Sequence, residues 1–488
     1  MFVPPARLGV GLVYSSFLSD LIPRDPGLVD FVEIEPETFW IQVAPGQWEF
    51  RLAPGELDRL RRLPCPKLLH SIGFPVGGSR PPDLAHVALL NRMAEALDVP
   101  WVSEHLSFNT ASVNGELVRT GMLLPQIQTG EGVECAVRST RRYAAALGRP
   151  LAVETGVSYL RPADFEMSDG RFIAQVAGRA DCGILLDLHN LWSNERNGRQ
   201  RALDAIGELP LERVWEVHVA GGEERRGYWI DGHCGAVPAP VLALAREVIP
   251  RLPNLGAVTL EIFPAYLPGL VPDGLRGEID ALREICALPA PAAPFAVRSA
   301  AAASPGGPAP AAPSVAEWEE ALAAAILRRP ATTDLGRALA AEPAMLLYAE
   351  LLEEFRASMV GTALGLTTRL LLLHLGDRGL RELLAEFWRR EPPEMSAAAE
   401  ALRLGDFLRA ERPAVPLLDE ILAFETAAVR AVMEHRPQRV SLACDIRLAI
   451  ADLVENRIPA KPGPTSFEFV LDPPEPGHEL AVSAPNLS

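Results

Sequence analysis

Apolar segments of four to eight residues recur along the first 290 positions, most of them breaking off in a polar or charged group. Eight are legible: Leu8–Tyr14, Asp30–Ile34, Lys67–Ile72, Trp101–Phe108, Leu151–Glu154, Gly183–His189, Val214–Val219 and Val258–Phe263. Runs this short read as buried parallel strands, although length and periodicity leave a helix open for any single one. The sixth shows the design most plainly. From Cys182 the chain is apolar through Leu186, then turns to Asp187, His189 and Asn190. Burying a carboxylate is costly unless it is paired or bound to a metal.

Helical patterns separate most of these segments. Asp83–Leu97 carries Leu84, Val87, Leu90, Met93 and Leu97 at helical spacing, and Gly132–Leu147, Ala239–Leu252 and Gly274–Cys286 follow suit. The segment at Asp30 has the weakest following helix. Strands alternating with helices predict a parallel sheet. Eight such units in fewer than 300 residues predict a (β/α)8 TIM barrel, a fold of typically about 250 residues. The expected fold class is therefore α/β, with the barrel occupying residues 1–288.

Beyond it the composition shifts. Residues 289–314 are dominated by Ala, Pro and Gly and read as an interdomain linker. Residues 315–488 read as a mostly helical C-terminal domain, with helices over Val315–Leu327, Pro343–Ser358, Leu380–Arg390 and Pro416–His435. Its end differs. Phe467, Phe469 and Leu471 alternate with polar residues, a proline-rich turn follows, and Glu479–Val482 completes an expected small β-hairpin.

Charge and cysteine usage narrow the function. A net charge of −17 argues against a generic nucleic-acid binder. The six cysteines are scattered without a CxxC and read as reduced thiols. The first ten residues lack a signal-peptide pattern, and the most apolar run, Leu370–Leu375, is too short to span a bilayer. The expectation is a cytoplasmic protein with no membrane and no nucleic acid among its partners.

The strand ends carry the chemistry. They supply His70, His105, Glu154, Asp187, His189, Asn190, His218 and Glu261, and the loop after the seventh strand adds Asp231 and His233. In a barrel these ends converge on one mouth, where active sites sit. Mixed histidine and carboxylate ligands suit Fe, Mn or Zn better than Mg or Ca. They outnumber the needs of one ion and point to two or three sharing carboxylates. Any one of these histidines alone reads equally well as a hydrogen-bonded core residue; five at strand ends or their loop do not. Glu33 and Glu37 are candidate substrate-binding groups. His86, inside a helical pattern, reads as structural, and Glu104 should point away from His105 by strand alternation.

The ordered motifs LLHS, SEHLSF, LAVETG, LLDLHNLW, EVHVAGG, WIDGH and TLEIF resemble the DUF692 family of multinuclear non-haem iron-dependent oxidases, over residues 6–288. The resemblance implies a TIM barrel holding two or three irons of mixed valence. It also implies O2 as co-substrate, acting on cysteine or another residue of a ribosomally made precursor peptide, as in methanobactin biosynthesis. Carried over by motif, the iron ligands are His70, His105, Glu154, Asp187, His218, Asp231, His233 and Glu261. Family members often have Asn-Asn where this chain has His189-Asn190, so either could ligate. Residues 315–488 resemble more weakly the DUF2063-type partner proteins that help present the peptide, here fused in cis. The competing reading is a divalent-metal isomerase or phosphodiesterase on a similar barrel, of xylose-isomerase or endonuclease IV type.

Overall fold

The computed structural model describes residues 5–270, 273–291, 295, 311–460 and 466–473. All eight expected strands are present. Gly9–Val13, Phe31–Ile34, Lys67–Ser71, Val102–His105, Leu151–Glu154, Gly183–Asp187, Val214–Ala220 and Ala257–Glu261 form a closed parallel barrel in chain order. Helices flank it, among them Leu84–Ala96, Gly130–Leu147, Asp169–Ala180 and Asp273–Cys286.

The two-residue period of a strand builds the interior. Phe31, Leu68, Trp101, Ala152, Leu185, Trp215 and Ala257 form one apolar cluster that plugs the barrel. Residues of opposite parity, such as Val32, Leu69 and Leu186, join the cluster shared with the outer helices. Two positions beyond the plug lie Glu33, His70, Ser103, Glu154, Asp187 and Thr259. The seventh strand reaches the same layer through a bulge. Ile184 pairs with Val214 but Leu185 with Glu216, so Trp215 is the extra residue. The shift puts Glu216 and His218 in step with Leu185 and Asp187.

The structure departs from the expected elements at several mouth loops. The sixth strand stops at Asp187, and Leu188–Arg196 is a helix. Asp187 caps it, accepting the Asn190 N–H at 2.8 Å. After the fourth strand the chain forms a hairpin, Phe108–Val113 with Glu116–Leu124. A second hairpin, Trp40–Ala44 with Gln47–Leu52, precedes the short helix Glu56–Arg61 that follows the second strand.

The C-terminal region is helical, as expected, and carries a small antiparallel β pair. The partner of Phe467–Leu471 is Gln438–Leu442, with helix Ile446–Val454 between them. The expected partner Glu479–Val482 lies outside the described residues, as does most of 289–314. Among the described residues no single helix is long and apolar enough to cross a membrane.

This region packs on the mouth loops. Helix Val315–Ile326 lies on the Phe108–Leu124 hairpin, and Trp318, Leu322 and Tyr348 share an apolar cluster with Phe108, Val113 and Val118. Trp318 Nε1 donates to Pro125 O at 2.9 Å, and Glu319 Oε1 accepts the Ser79 N–H at 2.6 Å. Buried Glu394 accepts from Gln42 Nε2 and from Gly46 N, each at 2.7 Å, and pairs with Arg403. Each of these barrel loops follows the C-terminal end of a strand. Trp318→Ala removes the ring that joins helix to hairpin. Urea denaturation of the full chain is expected to show a loss of about 3–5 kcal/mol, the usual cost of emptying a buried aromatic site.

Candidate metal centre

The strand-end residues meet inside the barrel mouth. Glu154 Oε2 lies 3.2 Å from His70 Nε2 and 2.8 Å from His105 Nε2. His218 Nδ1 lies 3.2 Å from Glu261 Oε1. Asp231 Oδ1 lies 2.9 Å from His233 Nε2 and 3.1 Å from His189 Nδ1, and Glu261 Oε2 is 3.4 Å from His233 Nε2. Ligand atoms of His70, His105 and Glu154 all fall within 4.8 Å of one another, as do those of Glu154, Asp187 and His218. His233 is held in the left-handed backbone region at φ 43°, a conformation strained for a residue with a side chain.

Three imidazoles are anchored by one nitrogen and aim the other inward. His70 Nδ1 lies 3.0 Å from Ser103 Oγ, and His105 Nδ1 3.4 Å from the Ser71 carbonyl. His218 Nε2 sits 3.1 Å from both oxygens of Glu33. Glu33 in turn accepts from Thr259 Oγ1 at 3.1 Å, and Trp101 Nε1 donates to Glu216 at 3.0 Å beneath. A carboxylate behind a histidine fixes the proton on the outer nitrogen and leaves the inner lone pair for an ion. His189 differs. Its Nε2 accepts from Trp229 Nε1 at 3.0 Å. Indole N–H is a donor only, so Nε2 is taken, while Nδ1 faces Asp231 Oδ1 at 3.1 Å, both atoms buried without a hydrogen-bond partner.

The donor set fits a cation. Glu154 Oε2, Asp187 Oδ2, Asn190 Oδ1, His218 Nδ1, Asp231 Oδ1, His233 Nε2 and Glu261 Oε2 are all buried without a hydrogen-bond partner. Leaving one such atom unsatisfied costs about 1–3 kcal/mol. Charge tells the same story. Burial, then Glu261 and Asp231, push the Asp187 carboxyl well above the usual range. Burial disfavours protonation of His218, but Glu261 and Glu33 outweigh it and raise that histidine. Too many anions are gathered here for all to ionise without added positive charge.

Sequence reasoning named most of these residues and missed others. Glu35, one more strand step beyond Glu33, lines the cavity at the mouth, and burial raises its carboxyl. The alternation Glu33, Glu35 was the available signal. Glu216 was hidden by the bulge. Of the two substrate candidates, Glu33 lies behind His218. Glu37 lies at the turn after the third strand, accepting from Ser71 Oγ at 2.6 Å and from the Ile72 and Gly73 N–H groups at 3.3 Å. Glu104 faces its own neighbour's backbone, accepting the His105 N–H at 2.7 Å. His86 stacks on Phe74 with ring centroids 3.5 Å apart, and burial keeps it neutral.

A sequence model of the family described as "RiPP precursor modification enzyme MbnB/TglH/ChrH" matches residues 7–269. Among curated relatives, a UPF0276 protein of Streptomyces avermitilis is 33% identical over 282 residues, 57% of this chain and 55% of the relative. The chain thus spans about half of that protein's length. A UPF0276 protein of Chromobacterium violaceum is 33% identical over 268 residues, 53% of this chain and 90% of the relative. Among solved structures, a D-psicose 3-epimerase from Clostridium cellulolyticum H10 covers 57% of this chain and 98% of its own, with 14% identity and a TM-score of 0.37.

Glu33→Gln keeps the size of the side chain and removes the carboxylate behind His218. Chelator competition is expected to show metal affinity lowered roughly 10- to 100-fold, as for other outer partners of ligating histidines, with an unchanged circular dichroism spectrum.

Proposed function

This chain belongs to the RiPP precursor modification enzyme family MbnB/TglH/ChrH, and on that premise we propose that it is a multinuclear iron oxidase. It uses O2 to modify a cysteine-bearing precursor peptide. The observation that carries the reading is the convergence of buried, unpartnered N and O atoms between imidazoles already anchored from behind. His70, His105, Glu154, Asp187, His218, Asp231, His233 and Glu261 would hold two or three ions. Asn190, whose Oδ1 is unpartnered, would complete the set, and His189, which would carry its proton on Nδ1 because its Nε2 accepts from Trp229, would stand outside it.

Iron bound there supplies the one-electron chemistry with O2 that an oxidation of the peptide needs. The chain's own contribution is order. Ser103, the Ser71 carbonyl and Glu33 hold three imidazoles in fixed orientation. The C-terminal region packs on the mouth loops and holds them in place. The isomerase reading gains nothing from the only barrel lysine. Lys67 opens its strand and donates to Leu63 O at 2.7 Å, at the end away from the mouth.

Protein purified without oxygen is expected to contain at least two iron equivalents by elemental analysis, and to consume O2 with a cysteine-bearing precursor. Zinc alone, with no activity gained on iron reconstitution, would sink the proposal. Asp187→Ala should lose iron while the barrel stays folded. Asn190→Ala should lower the iron bound per chain. His189→Gln, which can still accept from Trp229 and donate to Asp231, should leave it unchanged; a loss there would make His189 a ligand.

A further inference from the structure

The residues of the candidate centre rest on two kinds of support. His70, His105 and Glu154 stand on strands whose neighbours pair with them on both sides. Asp231 and His233 stand on neither strand nor helix. They follow the hairpin of Glu223–Arg225 with Tyr228–Ile230. A side chain on a loop is only as well placed as whatever holds the loop.

The barrel holds the far end of this loop, where the Phe263 N–H donates to the His233 carbonyl at 2.9 Å. A side chain holds the near end. The Asp231 N–H donates to Tyr159 Oη at 3.2 Å, and the Tyr159 N–H donates to Tyr348 Oη at 3.2 Å. Tyr159 lies in the loop after Glu154, and Tyr348 on the C-terminal helix Pro343–Ala363. Their rings pack with centroids 4.9 Å apart, and both are nearly inaccessible to water. Two hydroxyls thus link the C-terminal region to the backbone of Asp231.

The same helix grips the hairpin. Arg225 pairs with Glu354, and Arg226 Nε and Nη2 each lie 2.6 Å from an oxygen of Glu350. Glu350 and Glu354, one helical turn apart, present a single acidic face to the two arginines. Ile230, the residue before Asp231, joins the apolar cluster of Leu347 and Tyr348, and Tyr228 packs against it. On the barrel side Asn197 bonds both backbone groups of Trp229 at 2.9 Å. Half-exposed ion pairs add little stability. What they fix is where the hairpin ends, and so where Asp231 begins.

We propose that Tyr159 and Tyr348 are positioning residues for Asp231. Through them the C-terminal region sets the metal affinity of the Asp231–His233 side of the centre, and the His70–His105–Glu154 side is left to the barrel alone. The proposal rests on the reading of these residues as metal ligands and is independent of which metal they take.

The test reads metal binding without turnover. The metal-free full chain is titrated with Co2+ in competition with a chromophoric chelator, and Asp231→Ala identifies the class of site that depends on this loop. Tyr159→Phe and Tyr348→Phe each keep the ring and remove one hydroxyl. Tyr159→Phe is expected to weaken that class about tenfold, the low end of what outer partners of ligands contribute, and Tyr348→Phe to weaken it less. The other class should keep its wild-type affinity in both. Ser79→Ala, which removes a hydroxyl bonded to Glu319 elsewhere in the same interface, should leave both classes unchanged. A purely structural role would lower the melting temperature of the metal-free variants and leave both Co2+ affinities at wild-type values, and that result would overturn the proposal. So would equal weakening of the two classes, or an effect of Ser79→Ala as large as that of Tyr159→Phe. A wild-type chain that binds no Co2+ would remove the metal centre and the positioning role together. A chain that binds Co2+ as expected but consumes no O2 when loaded with iron would sink the oxidase reading and leave the positioning role standing.

Discussion

A buried carboxylate needs a positive partner, and the mouth of this barrel gathers several where ordinary folding would allow none. Glu154 faces two imidazoles through one oxygen, and Asp187 and Glu261 stand close by. Each sits on a strand already committed to a closed hydrogen-bonded cylinder, so none can swing out to water. The anions are therefore kept together by the backbone against their own repulsion. Every other feature answers to that: the anchored histidines, the proton positions they fix, and the supporting groups Thr259, Glu33 and Glu216.

Much of this was legible because a strand has a simple period. The apolar plug residue and the functional residue two places on are a visible pair in the sequence, as Leu68 with His70 or Leu185 with Asp187. Legibility failed where the period was broken or the cue was local. The bulge at Trp215 hid Glu216. The start of a helix at Leu188 put His189 and Asn190 in a helix instead of a strand, because Asp187 is also a cap. His189 Nε2 is taken up by Trp229, forty residues away, and no spacing reveals the direction of one hydrogen bond. The hairpins at Trp40 and Phe108 went unread as strands because the segments they follow were taken to end in loops or helices. The pairing of Phe467–Leu471 with Gln438–Leu442 joins segments separated by a helix, a non-local choice made by packing.

The C-terminal region shows how loops become interfaces. Its contacts are with the hairpins and turns that follow strand C-termini, and not with the barrel's outer helices alone. Those loops are where a barrel enzyme usually varies. Here they are committed on one side to the centre and on the other to the helices that cover them. Glu319 and Glu394 are both nearly inaccessible to water, and both take their partners from mouth loops. Such polar contacts fix orientation more than they add stability.

The two oxygens of Asp187 divide between two masters. One caps the helix that follows, and the other points, unpartnered, into the mouth. An Asn at this position would keep the cap but lose the negative charge. A Glu would keep the charge but stand one methylene too far out to cap. The position is thus closed to gradual change from either direction. A lineage drifting toward a different chemistry would have to rebuild the start of the helix and the inner charge in a single step, and elsewhere in the mouth it would be freer to explore.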